Sequence, residues 1–203
     1  MKKILYPILV ALFLFSNLQV ISQDVTAKLS DAENAYQSGD LEGARFALQQ
    51  ALGELDQVLG KEILSMLPTE IDGVPTIPEE DNVTGNALGF TGMYVNRTYQ
   101  SETHSANVEL IDDSPLIASI NTLLQMPSFM AASDPNQKRI KIHGYKALMN
   151  KSVDDSTGVV SFEVQIPFNK SLLTFKSKGF NDENTVISIA ESLPLEAIVR
   201  MTR

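Results

Sequence analysis

Val160-Ser161-Phe162-Glu163-Val164-Gln165-Ile166 is the stretch on which the fold turns. Apolar and polar residues alternate along it at a period of two, the pattern of a strand with one face buried and the other wet. The same period runs through Met93, Val95 and Tyr99, and through Ala106, Val108 and Leu110. Ile140 and Ile142 follow it as far as Gly144, where the phase slips to Tyr145, Ala147 and Met149; this predicts a turn or bulge at Gly144. Pro167-Phe168-Asn169-Lys170 should then turn the chain into a last strand over Leu172–Lys176.

Two helices interrupt and close this series. Ser114 is a good N-cap, Pro115 suits the first helical position, and Asp112 and Asp113 complement the helix dipole. Leu116, Ile120, Leu123 and Leu124 then give one apolar face before Pro127 ends the helix. Near Asn181 or Asp182 a closing helix should begin. It would bury Val186, Ile189, Ala190 and Leu193, and Pro194 would stop it; Leu195, Ile198 and Val199 could add a last turn on the same core. Strands with one inserted and one C-terminal helix predict an α+β domain over residues 93–203, its sheet mostly antiparallel.

Ahead of this domain, residues 23–67 read as a helical hairpin. Val25, Leu29, Ala32 and Tyr36 recur at helical spacing until Gly39-Asp40 breaks the run. A longer helix follows, with an apolar stripe of Ala44, Leu48, Ala51, Leu52, Leu55, Leu59, Ile63 and Leu67, and Pro68 as its stop. Gly53 and Gly60 lie inside it and each costs roughly 1 kcal/mol against alanine, which predicts fraying or a bend. Residues 68–92 hold Pro75, Pro78, Glu79-Glu80-Asp81, Gly85, Gly89 and Gly92, the composition of a solvated connection that wraps the domain surface.

The string from Ala35-Tyr36 through Gly39-Asp40-Leu41 to Ala44, Ala47-Leu48 and Ala51-Leu52 resembles a tetratricopeptide repeat. One copy is present, and repeats of this kind need neighbours to bury their faces. A solitary hairpin must therefore pack on the rest of the chain or on a partner. The strand order, with the segments Ile140–Ala147 and Leu173–Gly179, resembles the Mog1/PsbP-like fold. That resemblance implies a binding or assembly scaffold and supplies no catalytic residues.

At the N-terminus Lys2 and Lys3 lead an apolar stretch from Ile4 to Phe15, and Val20-Ile21-Ser22 offers suitable cleavage positions. This order predicts a secretory signal peptide over residues 1–22, a mature start near Gln23, and a periplasmic or secreted protein, bacterial in character. The stretch is short for a membrane span, which takes about 20 apolar residues, so no stable span is expected after cleavage. Cysteine is absent, which excludes a disulfide framework. Cleavage removes two lysines and no acids, leaving 14 basic against 25 acidic residues, a charge of −11. Such a surface repels nucleic acid and anionic membrane.

Chemistry is sparse. His104 and His143 are the two histidines and show no ligand spacing; with nearby carboxylates they are the residues a hydrolase or metal-dependent reading would use. Asp154-Asp155-Ser156-Thr157-Gly158 lacks the alternating acids of a calcium loop and reads as a hairpin turn. Nucleophile elbows, phosphate loops and dinucleotide fingerprints do not occur. Four acceptor-type triplets start at Asn82, Asn96, Asn150 and Asn169, of no consequence in a bacterial host. The expected function is therefore non-enzymatic, without cofactor or metal, through apolar contacts with an envelope protein or a small apolar ligand. The candidate contact residues are Tyr36, Leu41, Leu48, Leu52 and Leu55 on the hairpin, and Met126, Phe129 and Met130 after the middle helix. A small-ligand carrier would instead use a cavity between the sheet and the Leu116–Leu124 helix.

Overall fold

The computed structural model describes residues 24–85, 92–126 and 135–202. Seven strands form one sheet in the order β3-β4-β5-β9-β8-β7-β6, and every neighbouring pair is antiparallel. The strands are β3 (Asn82–Thr84), β4 (Tyr94–Gln100), β5 (Ser105–Ile111), β6 (Gln137–Ile142), β7 (Tyr145–Val153), β8 (Val160–Phe168) and β9 (Ser171–Lys178). The fold is α+β, as the alternation requires.

Register explains which face is buried. Leu110 lies opposite Leu173, Val108 opposite Phe175, and Val164 between Phe175 and Met149, so these side chains share one face. That face is sealed by α4 (Glu183–Ser192), α5 (Leu195–Met201) and the end of α2 (Leu41–Met66). Val186, Ile189, Ala190 and Leu193 are all buried, and so are Leu195, Ile198 and Val199, which form a separate short helix rather than a last turn. Asp182 starts α4: its carboxylate accepts a hydrogen bond from Thr185 N–H at 3.0 Å. On the opposite face α3 (Ile117–Gln125) covers only one end, setting Ile120 and Leu124 on Leu148 and Leu172. Ser114 stays close to the helix start, but Leu116 is the capping residue and no side chain caps it.

Two hairpins share one construction. His143-Gly144 joins β6 to β7 with φ of 49° and 82°, accounting for the phase slip in the sequence. Asp72-Gly73, with φ of 47° and 79°, joins β1 (Glu70–Ile71) to β2 (Val74–Pro75). Positive φ at both central residues matches the twist of the flanking strands, which is why glycine takes the second place. Pro167 lies within β8 and pairs with Leu172 of β9, but the β7 ladder ends at Gln165, so its missing N–H falls beyond the last rung.

The segment expected to be a solvated connection is part of the fold. Ile71 and Val74 are buried in the main core, and β3 forms the edge of the large sheet beside β4. Its strands are two or three residues long, too short for a period to show in sequence. Gly53 and Gly60 do not break α2, which runs unbroken for 26 residues. Gly60 admits the β3 edge instead, since a Cβ there would stand 2.5 Å from Val83 Cγ1, and Gly85 in turn lets the chain approach the Gly53 carbonyl, which a Cβ at 85 would strike. At Gly60 the helix-propensity cost is offset by this close packing.

Candidate interaction surface

α1 (residues 24–37) and α2 are joined by a three-residue turn, and Asp40 caps α2 by accepting a hydrogen bond from Gly43 N–H at 2.9 Å. The stripe that sequence presents as one face is divided by two neighbours. Ala44, Ala47 and Ala51 are buried on the α1 side, where small side chains let two helices approach, and Ala32 of α1 is buried with them. About half a turn round the helix, Gly60, Ile63 and the following Leu67 are buried against the sheet domain. Between those two contacts Leu41, Leu48, Leu52 and Leu55 are exposed.

Leu41 is 65% exposed, Leu48 49%, Leu52 57% and Leu55 44%. On α1, Tyr36 and Leu29 are also exposed. Because the two helices run antiparallel and both are right-handed, that flank of α1 opens to the same side as the leucines. All five candidate residues of the hairpin therefore lie on one apolar surface. Leu29 belongs to it too and is recoverable from its seven-residue spacing to Tyr36. Phe46, exposed on another side of α2, does not.

This surface is held in place by polar contacts made from β4. Arg97 donates from Nε and Nη2 to the Asp81 carboxylate at 3.1 and 2.7 Å, and from Nη1 to the Leu67 carbonyl at 2.8 Å. The Tyr99 hydroxyl donates to the Pro68 carbonyl at 2.8 Å, and burial raises its pKa. Arg97 thus satisfies the Leu67 carbonyl at the C-cap of α2, and Tyr99 holds the carbonyl of the next residue, just beyond the helix.

The remaining candidates are dispersed. Met126 ends α3, where its carbonyl accepts a hydrogen bond from Arg139, while Phe129 and Met130 lie outside the described residues. His104 sits in the β4–β5 turn, its ring 4.7 Å from that of Phe180, and its Nδ1 is 2.7 Å from Thr103 Oγ1. His143 occupies the β6–β7 turn with Nε2 against the Glu191 carbonyl. The register places Ser105 level with Ser152 across β9 and β8, seven residues along β7 from Tyr145. At about 3.4 Å per residue the two imidazoles stand at opposite ends of the sheet, roughly 20 Å or more apart. They cannot share a site. Among the described residues no group of three potential ligands could hold a metal ion.

Asp154 is occupied within its own turn: hydrogen bonds from the Ser156 hydroxyl and from the Thr157 and Ser156 N–H groups lower its pKa to about 2. Underneath α3, Ile120, Leu124, Leu148 and Leu172 pack together, and a hollow of about 280 Å³ lies beside Leu124 against Arg139, Ile140, Lys141 and Lys146. An apolar hollow of about 450 Å³ lies at the start of α3, lined by Met93, Tyr94, Ile111, Pro115 and Leu116. The uncovered end of that sheet face is polar, and its groups pair with each other: Asn107 donates to Asn96 at 2.7 Å and Lys176 to Glu109 at 3.2 Å.

Comparison with family models, with curated proteins and with solved structures found no match. No helix among the described residues is long and apolar enough to cross a membrane.

Proposed function

We propose that the chain is an exported, non-enzymatic binding module whose helical hairpin offers an apolar face to a protein partner, while the α+β domain acts as its rigid mount. One observation carries the reading. Of nine large apolar side chains exposed among the described residues, seven belong to the hairpin, and six of these share one side of it. Single exposed leucines are ordinary on protein surfaces; an aligned set is the mark of an interaction site. The resemblance to a tetratricopeptide repeat supports the same reading, since such a unit leaves a face for a neighbour.

A photo-crosslinking residue at Leu52 should trap a protein in the envelope of the host, and one at Leu116, exposed at the N-cap of α3, should not. Leu48→Glu placed beside the Leu52 probe should abolish the product while circular dichroism stays unchanged. Equal labelling from both positions, or none from Leu52, would end the docking reading.

A further inference from the structure

We propose that the partner on this face is a second copy of the same chain, docked antiparallel along α2 about a twofold axis between Leu52 and Leu55. The inference rests on the docking reading above and names its occupant.

Along α2, positions 41, 45, 48, 52, 55, 59, 62 and 66 alternate in steps of four and three, the spacing of a coiled-coil seam. They are occupied by Leu41, Arg45, Leu48, Leu52, Leu55, Leu59, Glu62 and Met66, so six are apolar and two are charged with opposite sign. Arg45 and Glu62 are both exposed, and among the described residues neither forms an ion pair. Leu59 and Met66 are half-buried and pack against the main core, so the apolar seam is exposed from Leu41 to Leu55 and half-covered at its far end.

Orientation follows from where the two charges fall. In a parallel pair Arg45 would face Arg45 and Glu62 would face Glu62. When the second helix is reversed about the Leu52–Leu55 midpoint, Leu52 meets Leu55, Leu48 meets Leu59, Leu41 meets Met66 and Arg45 meets Glu62. Every layer is then apolar on apolar or an ion pair, and each ion pair occurs twice. Such a surface is self-complementary, as a twofold interface requires. α1 lies on one flank of the seam and the sheet domain on the other, so reversal places like flanks side by side. Solvated ion pairs add little strength, but like charges in those layers oppose the wrong alignment, so the pair sets direction more than affinity.

Sedimentation equilibrium of the mature protein should give a dimer at micromolar concentration. Arg45→Glu and Glu62→Arg should each raise the dissociation constant about tenfold or more, because two attractions become two repulsions. The double variant R45E/E62R should recover the wild-type value, and an equimolar mixture of the two single variants should form a heterodimer. Leu52→Glu should be monomeric. All these positions are exposed, so circular dichroism should remain that of the wild type. A wild-type protein that stays monomeric, a dimer indifferent to Leu52→Glu, or single reversals without effect would each overturn the proposal. A monomer whose Leu52 probe crosslinks to a different protein would remove the second copy and leave the docking reading standing; a monomer with no crosslink would remove both.

Discussion

Replacing Arg97 by alanine should detach the end of the hairpin helix from the sheet. The guanidinium makes two hydrogen bonds to Asp81 and one to the Leu67 carbonyl, and the Arg97 and Asp81 side chains retain only 11% and 14% exposure. Its loss leaves a nearly desolvated carboxylate and a helix-end carbonyl without partners. Breaking a buried pair from one side costs about 3–5 kcal/mol, and the residual exposure here places the cost near the lower end, about 3 kcal/mol. For a chain of this size each kcal/mol moves the melting temperature by roughly 2–4 °C, so a fall of about 6–12 °C is expected. Urea unfolding followed by far-ultraviolet circular dichroism measures the loss. Hydrogen exchange should localise it, with amides in the last turn of α2 losing protection before those of β8 and β9. The cycle with Asp81→Leu separates coupling from desolvation, since the double variant should lose less than the sum of the singles. A loss below about 1 kcal/mol, or unchanged protection at the end of α2, would show that this latch is not what fixes the hairpin.

Other substitutions probe separate parts of the structure. Gly60→Ala gains helix propensity but sets a methyl 2.5 Å from Val83 Cγ1, so it should destabilise by about 1–3 kcal/mol in urea; a stabilised variant would mean that the β3 edge does not press on α2. Asp56 has its pKa raised by burial first and then by the charges of Asp112 and Asp113. Because the folded-state pKa lies above the unfolded one, stability is lost as pH rises through that range, so Asp56→Asn should melt higher than the wild type at pH 7 and the gap should close below about pH 4. A melting difference that does not change with pH would contradict this. Ser177 Oγ is buried on the core face with no hydrogen-bond partner among the described residues, so Ser177→Ala should gain about 1 kcal/mol; a clear loss of stability would show that the hydroxyl is satisfied.

Legibility in the sequence followed the length of each element and the number of neighbours it has. β8 spans nine residues, so its alternation stood out and named its buried side chains. α4 has one apolar face against one core, and all four residues of its stripe are buried. β1, β2 and β3 are too short to carry a period, although Asp72-Gly73 between two apolar residues was a readable hairpin turn that composition alone obscured. In α2 the stripe was visible but its division was not, because periodicity finds apolar positions without saying which neighbour takes them. Side-chain size held the clue: alanine meets the other helix, Ile63 meets the sheet, and leucine is left over. Separation of His104 from His143 became decidable only with the strand register, which pattern does not supply.

The leucine surface cannot be relieved by rearrangement within the chain. To bury Leu48 and Leu52, α2 would have to roll about its axis, which would pull Ile63 and Leu67 out of the core and break the contacts of Arg97 and Tyr99. It would also expose the alanine seam that holds α1. Each buried aliphatic side chain given up costs about 1.5–3 kcal/mol, as much as each leucine covered would return, and the Asp81 pair would be lost in addition. Among the described residues the hairpin is therefore fixed with this apolar side outward. A net charge of −9 opposes indiscriminate association through it. Whatever docks must offset that repulsion with matched contacts, a demand met by a seam whose Arg45 and Glu62 find each other only when the helices run in opposite directions.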